Sequence, residues 1–204
     1  MMRSRLVLTA FTVLAAALVL GAAPGDAQEK KKAHKKAHED IPKKELKALF
    51  PEVTSFSSRA CKPAKAQLAG IEQQVGLKLT DDELHTKCVV ALQKTPDGKT
   101  SSVGVAWLTH VEGAKGDLEY GVAMDTAGKV LRVAVYENPE SKALQGTEFL
   151  KQFEGKSPDD PFKVGQDVKA ADGDEKSSQL LATGIKKSAL VIKATFFEKK
   201  AEKK

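Results

Sequence analysis

Four short runs in the middle of the chain constrain its fold more than any other feature. They read KCVVALQK (87–94), SSVGVAWLTHV (101–111), LEYGVAMD (118–125) and KVLRVAVYE (129–137). Each is rich in β-branched valine, and the joints between them read TPDGKT, EGAKGD and TAG. Glycine, aspartate and proline at such joints supply the backbone angles that close tight hairpins. The spacing therefore predicts a meander of four antiparallel strands. Gly104 and Gly121 interrupt two of them, which marks a bulge, a bend, or a close approach by another part of the chain or by a ligand.

Helical patterns flank the strands. In IPKKELKALFP (41–51), Pro42 suits the first turn of a helix and Pro51 stops it. CKPAKAQLAGIEQQVG (61–76) reads as a second helix, with Pro63 near its start, Gly76 at its end, and Leu68, Ile71 and Val75 facing a core. GTEFLKQFEGK (146–156) gives a short helix with Thr147 as its cap and Phe149, Leu150 and Phe153 inward. SPDDPFKVGQDV (157–168) is a loop. A last helix starts at Ser177 or Ser178, either of which suits a cap, and carries Leu180, Leu181, Ile185, Leu190 and Ile192. Helices, then strands, then helices imply a single α+β domain over residues 42–197. Its antiparallel sheet of about four or more strands lies between N-terminal and C-terminal helices. Residues 198–204 read as a charged tail.

The N-terminus fixes the expected compartment. MMRSR is basic, LVLTAFTVLAAALVLGAA is apolar, and PGDAQ follows with Gly25 and Ala27 at the −3 and −1 places of a cleavage before Gln28. That order is the pattern of a secretory signal over residues 1–27, and the alternative is an uncleaved N-terminal anchor. Cleavage leaves no stable membrane span and a periplasmic or secreted protein. In an oxidising compartment the two cysteines, Cys61 and Cys88, suggest a disulfide, the alternative being two buried thiols. Neither lies in a C-x-x-C-H sequence, so covalent haem is not supported.

Residues 28–41 form a lysine- and histidine-rich linker too poor in apolar groups to offset its chain entropy. His34 and His38, spaced i,i+4 within it, read as part of a solvated tether rather than as metal ligands. Charge follows the same division. The net charge of +6 comes mostly from residues 1–47, with 10 basic and 5 acidic groups, while 48–204 hold 23 and 22. A folded part so near neutrality argues against nucleic acid as a partner. Aromatic residues make up only 5% of the chain, so the core must draw on Ala, Val and Leu.

Several chemistries lack their motifs. No G-x-S-x-G, H-E-x-x-H, Walker loop or G-x-G-x-x-G is present, and the acidic turn DGDE lacks the spacing and distal Glu of an EF-hand. Only His85 and His110 lie in the folded part, and each reads as a surface or edge-strand residue. Hydrolytic catalysis is not expected.

One ordered run, from Gly121 to Leu190, does carry information. It contains GVAMDTAGKV (121–130), NPESKALQ (138–145), FLKQFEGK (149–156) and ADGDEKSSQLL (171–181). In order and content these stretches resemble the FMN-binding domain family, which includes the periplasmic flavin-carrying subunits of ion-pumping NADH and ferredoxin oxidoreductases. The family's typical elements are a G-x-x-x-x-D-x-x-G-K-I hairpin, an H-x-E-T-P-G-L-G loop, an F-x-x-Q-F-x-G-K helix and a D-x-x-S-G-A-T-x-T-S turn opening a helix. Glu140 and Leu144 keep the loop pattern, Ser141 stands where Thr is usual, and Asn138 replaces His.

The resemblance implies an exported electron carrier with FMN as cofactor and a membrane or periplasmic redox partner. Its flavin contacts would be Glu140, Ser141 and Leu144 on the loop and Gly173, Glu175, Ser177 and Ser178 on the turn. Trp107 or Tyr120 would cover the isoalloxazine, though each also reads as a sheet core residue. The departure falls at the attachment point. The family bonds FMN through a phosphoester to the threonine of S-G-A-T, and here Glu175 takes that place while Asp174 replaces the alanine. Glutamate cannot form that phosphoester. Asp172, Asp174 and Glu175 would also crowd a phosphate, since like charges about 4 Å apart cost roughly 1 kcal/mol in water and more near protein. The same acids favour an unliganded helix N-terminus. A noncovalent or vestigial flavin site is expected, the alternative being a non-redox periplasmic binding or structural module on the same fold.

Overall fold

The computed structural model describes residues 43–198. The expected signal, the linker with His34 and His38, Pro42, and all but the first residue of the charged tail lie outside the described residues. The four predicted strands form as β2 (Lys87–Lys94), β3 (Thr100–Glu112), β4 (Asp117–Asp125) and β5 (Val130–Glu137). A fifth, β1 (Ser55–Ala60), precedes them, and the sheet runs β1-β2-β3-β4-β5 with every pair antiparallel. The architecture is α+β. Around the sheet lie α1 (Lys43–Leu49), α2 (Lys65–Val75), α3 (Asp81–His85), α4 (Thr147–Lys151) and α5 (Glu175–Ile192). A 3-10 turn spans Lys142–Gln145, and a π-helical turn, Lys193–Phe197, continues α5.

Strand alternation sorts the side chains into two layers. Val105, Trp107 and Val111 of β3 and Leu118, Tyr120, Val122 and Met124 of β4 point to one face, where Leu181, Ile185, Ala189 and Ile192 of α5 cover them. Ile71 of α2 joins the same core, with Leu68 and Val75 half-buried against it. The opposite face is a small-residue surface, Ala91, Ala106 and Ala123, under Leu49, Phe50 and Val53 of α1 and its following turn.

The two strand glycines belong to that second face. A Cβ at Gly104 would stand 2.6 Å from the Met124 carbonyl oxygen and 2.9 Å from the Phe50 ring. At Gly121 it would meet the Tyr136 hydroxyl at 2.8 Å and a Leu49 methyl at 2.9 Å. Both therefore admit a close approach of the chain itself. Gly104 also stands at a bulge, since the β2–β3 register slips between Ala91 and Leu92.

Cys61 and Cys88 form a disulfide, and both are buried. Arg59 pairs with Cys88 across β1 and β2, so the bridge pins the chain just as it leaves β1. Two caps differ from expectation. Gly146 rather than Thr147 precedes α4, and Asp174 rather than a serine caps α5. Asp174 wins because Gly173 turns with φ 76°, delivering the carboxylate to the Ser177 N–H at 3.1 Å. Among the described residues no helix is long and apolar enough to cross a membrane.

Candidate functional site

The resemblance singles out two stretches, and the fold places both at one end of the sheet. Asn138 organises the first. Its side-chain oxygen accepts from the Glu140 and Ser141 N–H groups at 3.1 and 3.2 Å, and its amide donates to the Ser141 carbonyl. Ser141 then caps the 3-10 turn by accepting from the Ala143 N–H at 3.3 Å, and Leu144 is wholly buried in the core. Glu140 points toward the β3–β4 hairpin, where its carboxylate accepts from the Lys115 N–H at 2.7 Å. The Lys115 ammonium in turn donates to the Glu140 carbonyl at 2.9 Å.

The second stretch opens α5. Asp172 adopts φ 42°, a left-handed conformation that costs most residues but suits Asp and Asn in tight turns. A bridge between Ala171 and Asp174 closes the turn, with the Asp174 N–H donating to the Ala171 carbonyl at 2.8 Å. Ser178 is fully buried, and its hydroxyl accepts from the Ala171 N–H at 2.9 Å. Ser177 is buried as well, while Glu175 is exposed at the first helical position. The Ser177 N–H and hydroxyl hold the Asp174 carboxyl below the usual carboxylate range, with a smaller contribution from the charge of Lys115.

Lys115 therefore joins the two halves, hydrogen-bonded to Glu140 and electrostatically coupled to Asp174. The sequence signal for it was slight, a lysine in the Gly-rich hairpin EGAKGD. The corner has the polar groups of an anion site, but its own chain uses two of them. Asp174 occupies the Ser177 N–H, and Ser178 is committed to Ala171.

The remaining motif residues have structural work elsewhere. Asp125 and Gly128 form the β4–β5 turn, where the Asp125 carboxylate accepts from the Ala127 and Lys129 N–H groups, each at 2.9 Å. In FLKQFEGK, Phe149 and Phe153 are buried in edge-to-face contact, Leu150 is half-buried, and Lys156 pairs with Asp167 at 2.8 Å. Trp107 and Tyr120 are both wholly buried beneath α5. His85 is exposed, with Nδ1 2.6 Å from the Asp81 carbonyl oxygen. His110 lies on β3 beyond the stretch paired with β2, half-buried. Among the described residues no group of three or more His, Cys, Asp or Glu side chains is placed to hold a metal ion.

A second polar cluster is wholly interior and was missed by sequence reasoning. Glu83 of α3 and Lys187 of α5 form an ion pair at 2.6 Å, with side chains 2% and 3% exposed. Thr109 donates to the same carboxylate oxygen at 2.6 Å, and the Thr80 N–H donates to the other at 2.9 Å. Thr86 donates to the Glu83 carbonyl at 2.7 Å and accepts from the Trp107 indole at 2.5 Å. Burial alone would raise the Glu83 carboxyl, but the Lys187 charge and these donors outweigh it and hold it below the ordinary range. Nearby, burial pushes the Tyr120 phenol far up, against a weak opposing hydrogen bond from Ser188 at 3.2 Å. The available signal for this cluster was T-D-D-E (80–83), a capping box whose acid also reaches inward.

No protein-family model matches the chain, and no curated protein matches it either.

Proposed function

We propose that this chain is an exported module on the FMN-binding-domain plan whose flavin-attachment corner has become a self-capped helix start, so that it works by binding a partner and carries no attached flavin. One observation carries the reading. Two of the groups that would face a phosphate are already engaged, the Ser177 N–H by Asp174 and the Ser178 hydroxyl oxygen by the Ala171 N–H. A bound phosphate gains from free N–H groups at a helix N-terminus, and here a carboxylate fills that role. Glu175, at the family's attachment position, has no hydroxyl to esterify. Export is supported by the basic, apolar and small-residue order of residues 1–27, and the Cys61–Cys88 disulfide fits an oxidising compartment.

Lys115 favours a second reading, in which FMN is held without a covalent bond and relays electrons to a membrane or periplasmic redox partner. Its ammonium donates to the Glu140 carbonyl and its charge acts on Asp174, so a phosphate monoester at this corner would meet the same cation. Titrating the full chain with FMN and following flavin fluorescence separates the two. The first reading expects no saturable change. Saturable binding that weakens about tenfold in Lys115→Gln, the loss of one charged contact, would establish the second.

A further inference from the structure

At the end of the sheet away from this corner lies a cleft of about 480 Å³, within the size range of small-molecule sites. Its lining includes Arg59, Leu92, Ser102, Asp125, Phe196 and Phe197. Four separate features meet there. The β2–β3 bulge between Ala91 and Leu92 opens the sheet surface beside Ser102. The π-helical turn, a form often found at functional sites, presents two consecutive phenylalanines to the cleft. Phe197 is one of two large apolar side chains left exposed among the described residues, at 38%. Arg59 has no ion-pair or hydrogen-bond partner for its side chain among the described residues.

The register gives the cleft a direction. Arg59 sits opposite Cys88, and Cys88 and Val90 belong to the face under α5, so Arg59 shares that face. The start of the β4–β5 turn closes the other end, where Asp125 pairs with Gly104 and so alternates to the α1 face, its carboxylate tied to the turn by the Ala127 and Lys129 N–H groups. From β1 to β4 is three strand spacings, roughly 14 Å. Arg59 thus puts a cation at one end, and the rings of Phe196 and Phe197 line the cleft with it.

We infer that this cleft binds an aromatic monocarboxylate, with its carboxylate on Arg59 and its ring beneath Phe196 and Phe197. The planar guanidinium matches a carboxylate in two-pronged geometry, and the phenylalanines offer ring faces and edges to a flat body. The inference does not depend on the state of the flavin-like corner, which lies at the opposite end of α5.

Calorimetric titration of the full chain with 2-naphthoate, and with neutral 2-naphthylmethanol for comparison, tests it. Saturable one-to-one binding of naphthoate is expected. Arg59→Gln should weaken naphthoate about tenfold or more and leave naphthylmethanol unchanged, while Phe197→Ser should weaken both. Both side chains lie at the surface, and circular dichroism checks that the variants fold. Absence of saturable binding overturns the inference, as does naphthoate affinity that is unchanged in either variant.

Discussion

At the scale of single residues, the Glu83–Lys187 pair is where charge and burial compete most sharply. A buried pair is expensive to form, and removing one partner strands the other in the core. Glu83→Gln should therefore cost about 3–5 kcal/mol in urea unfolding, whereas Glu83→Gln combined with Lys187→Met should recover part of that loss. A double variant no more stable than Glu83→Gln would mean that Lys187 is not stranded by the single change. The pH dependence has a definite sign. Because the folded carboxyl is held below its ordinary value, its stabilisation is fully present above about 4.3, the unfolded value. It is lost as pH falls through the lower folded value, a loss absent in the double variant. The capping pair Thr80 and Glu83 was legible in principle, because that pattern is local, although no helix was read there. That Glu83 also meets a lysine 104 residues away was not, since no local pattern encodes a contact made only by packing.

Among the elements, what could be read depended on periodicity. The four valine-rich strands were visible because their apolar density and turn residues are local signals. SFSSRA (55–60) was not, since it is a short, polar edge strand whose pairing with β2 comes from the neighbouring chain and the disulfide. The start of α5 was placed two or three residues late for a related reason. Serine is a good cap in isolation, but Gly173 and the Ala171–Asp174 bridge bring an aspartate there first. Ser178 is then free to hold the Ala171 N–H. Ser178→Ala should leave that donor buried and unpaired, costing about 1–3 kcal/mol by thermal or urea denaturation. Gly104→Ala should cost about as much, because the new methyl meets the Met124 carbonyl and the Phe50 ring. A neutral Gly104→Ala would contradict the close seating of α1 on the sheet.

For the whole molecule, one disulfide and one long helix tie the layers together. Cys61 and Cys88 are 27 positions apart, and closing such a loop stabilises by about 3.5 kcal/mol in the chain-entropy model. Cys61→Ala with Cys88→Ala should lose about that amount in equilibrium unfolding and leave the sheet's far-ultraviolet signature in place. The 18 residues of α5 span about 27 Å, from the self-capped corner beside Lys115 to the turn that carries Phe197 over Gly128. Its two ends thus lie at two different surfaces, and the flavin question concerns only the first. The most direct measurement is the flavin retained by denatured protein after coexpression with an FMN transferase. Asp174→Ala with Glu175→Thr, which would put a threonine at the attachment position the resemblance implies, serves as the comparison. The account predicts a colourless denatured wild-type chain and a labelled variant. Flavin retained by the denatured wild-type chain would contradict it.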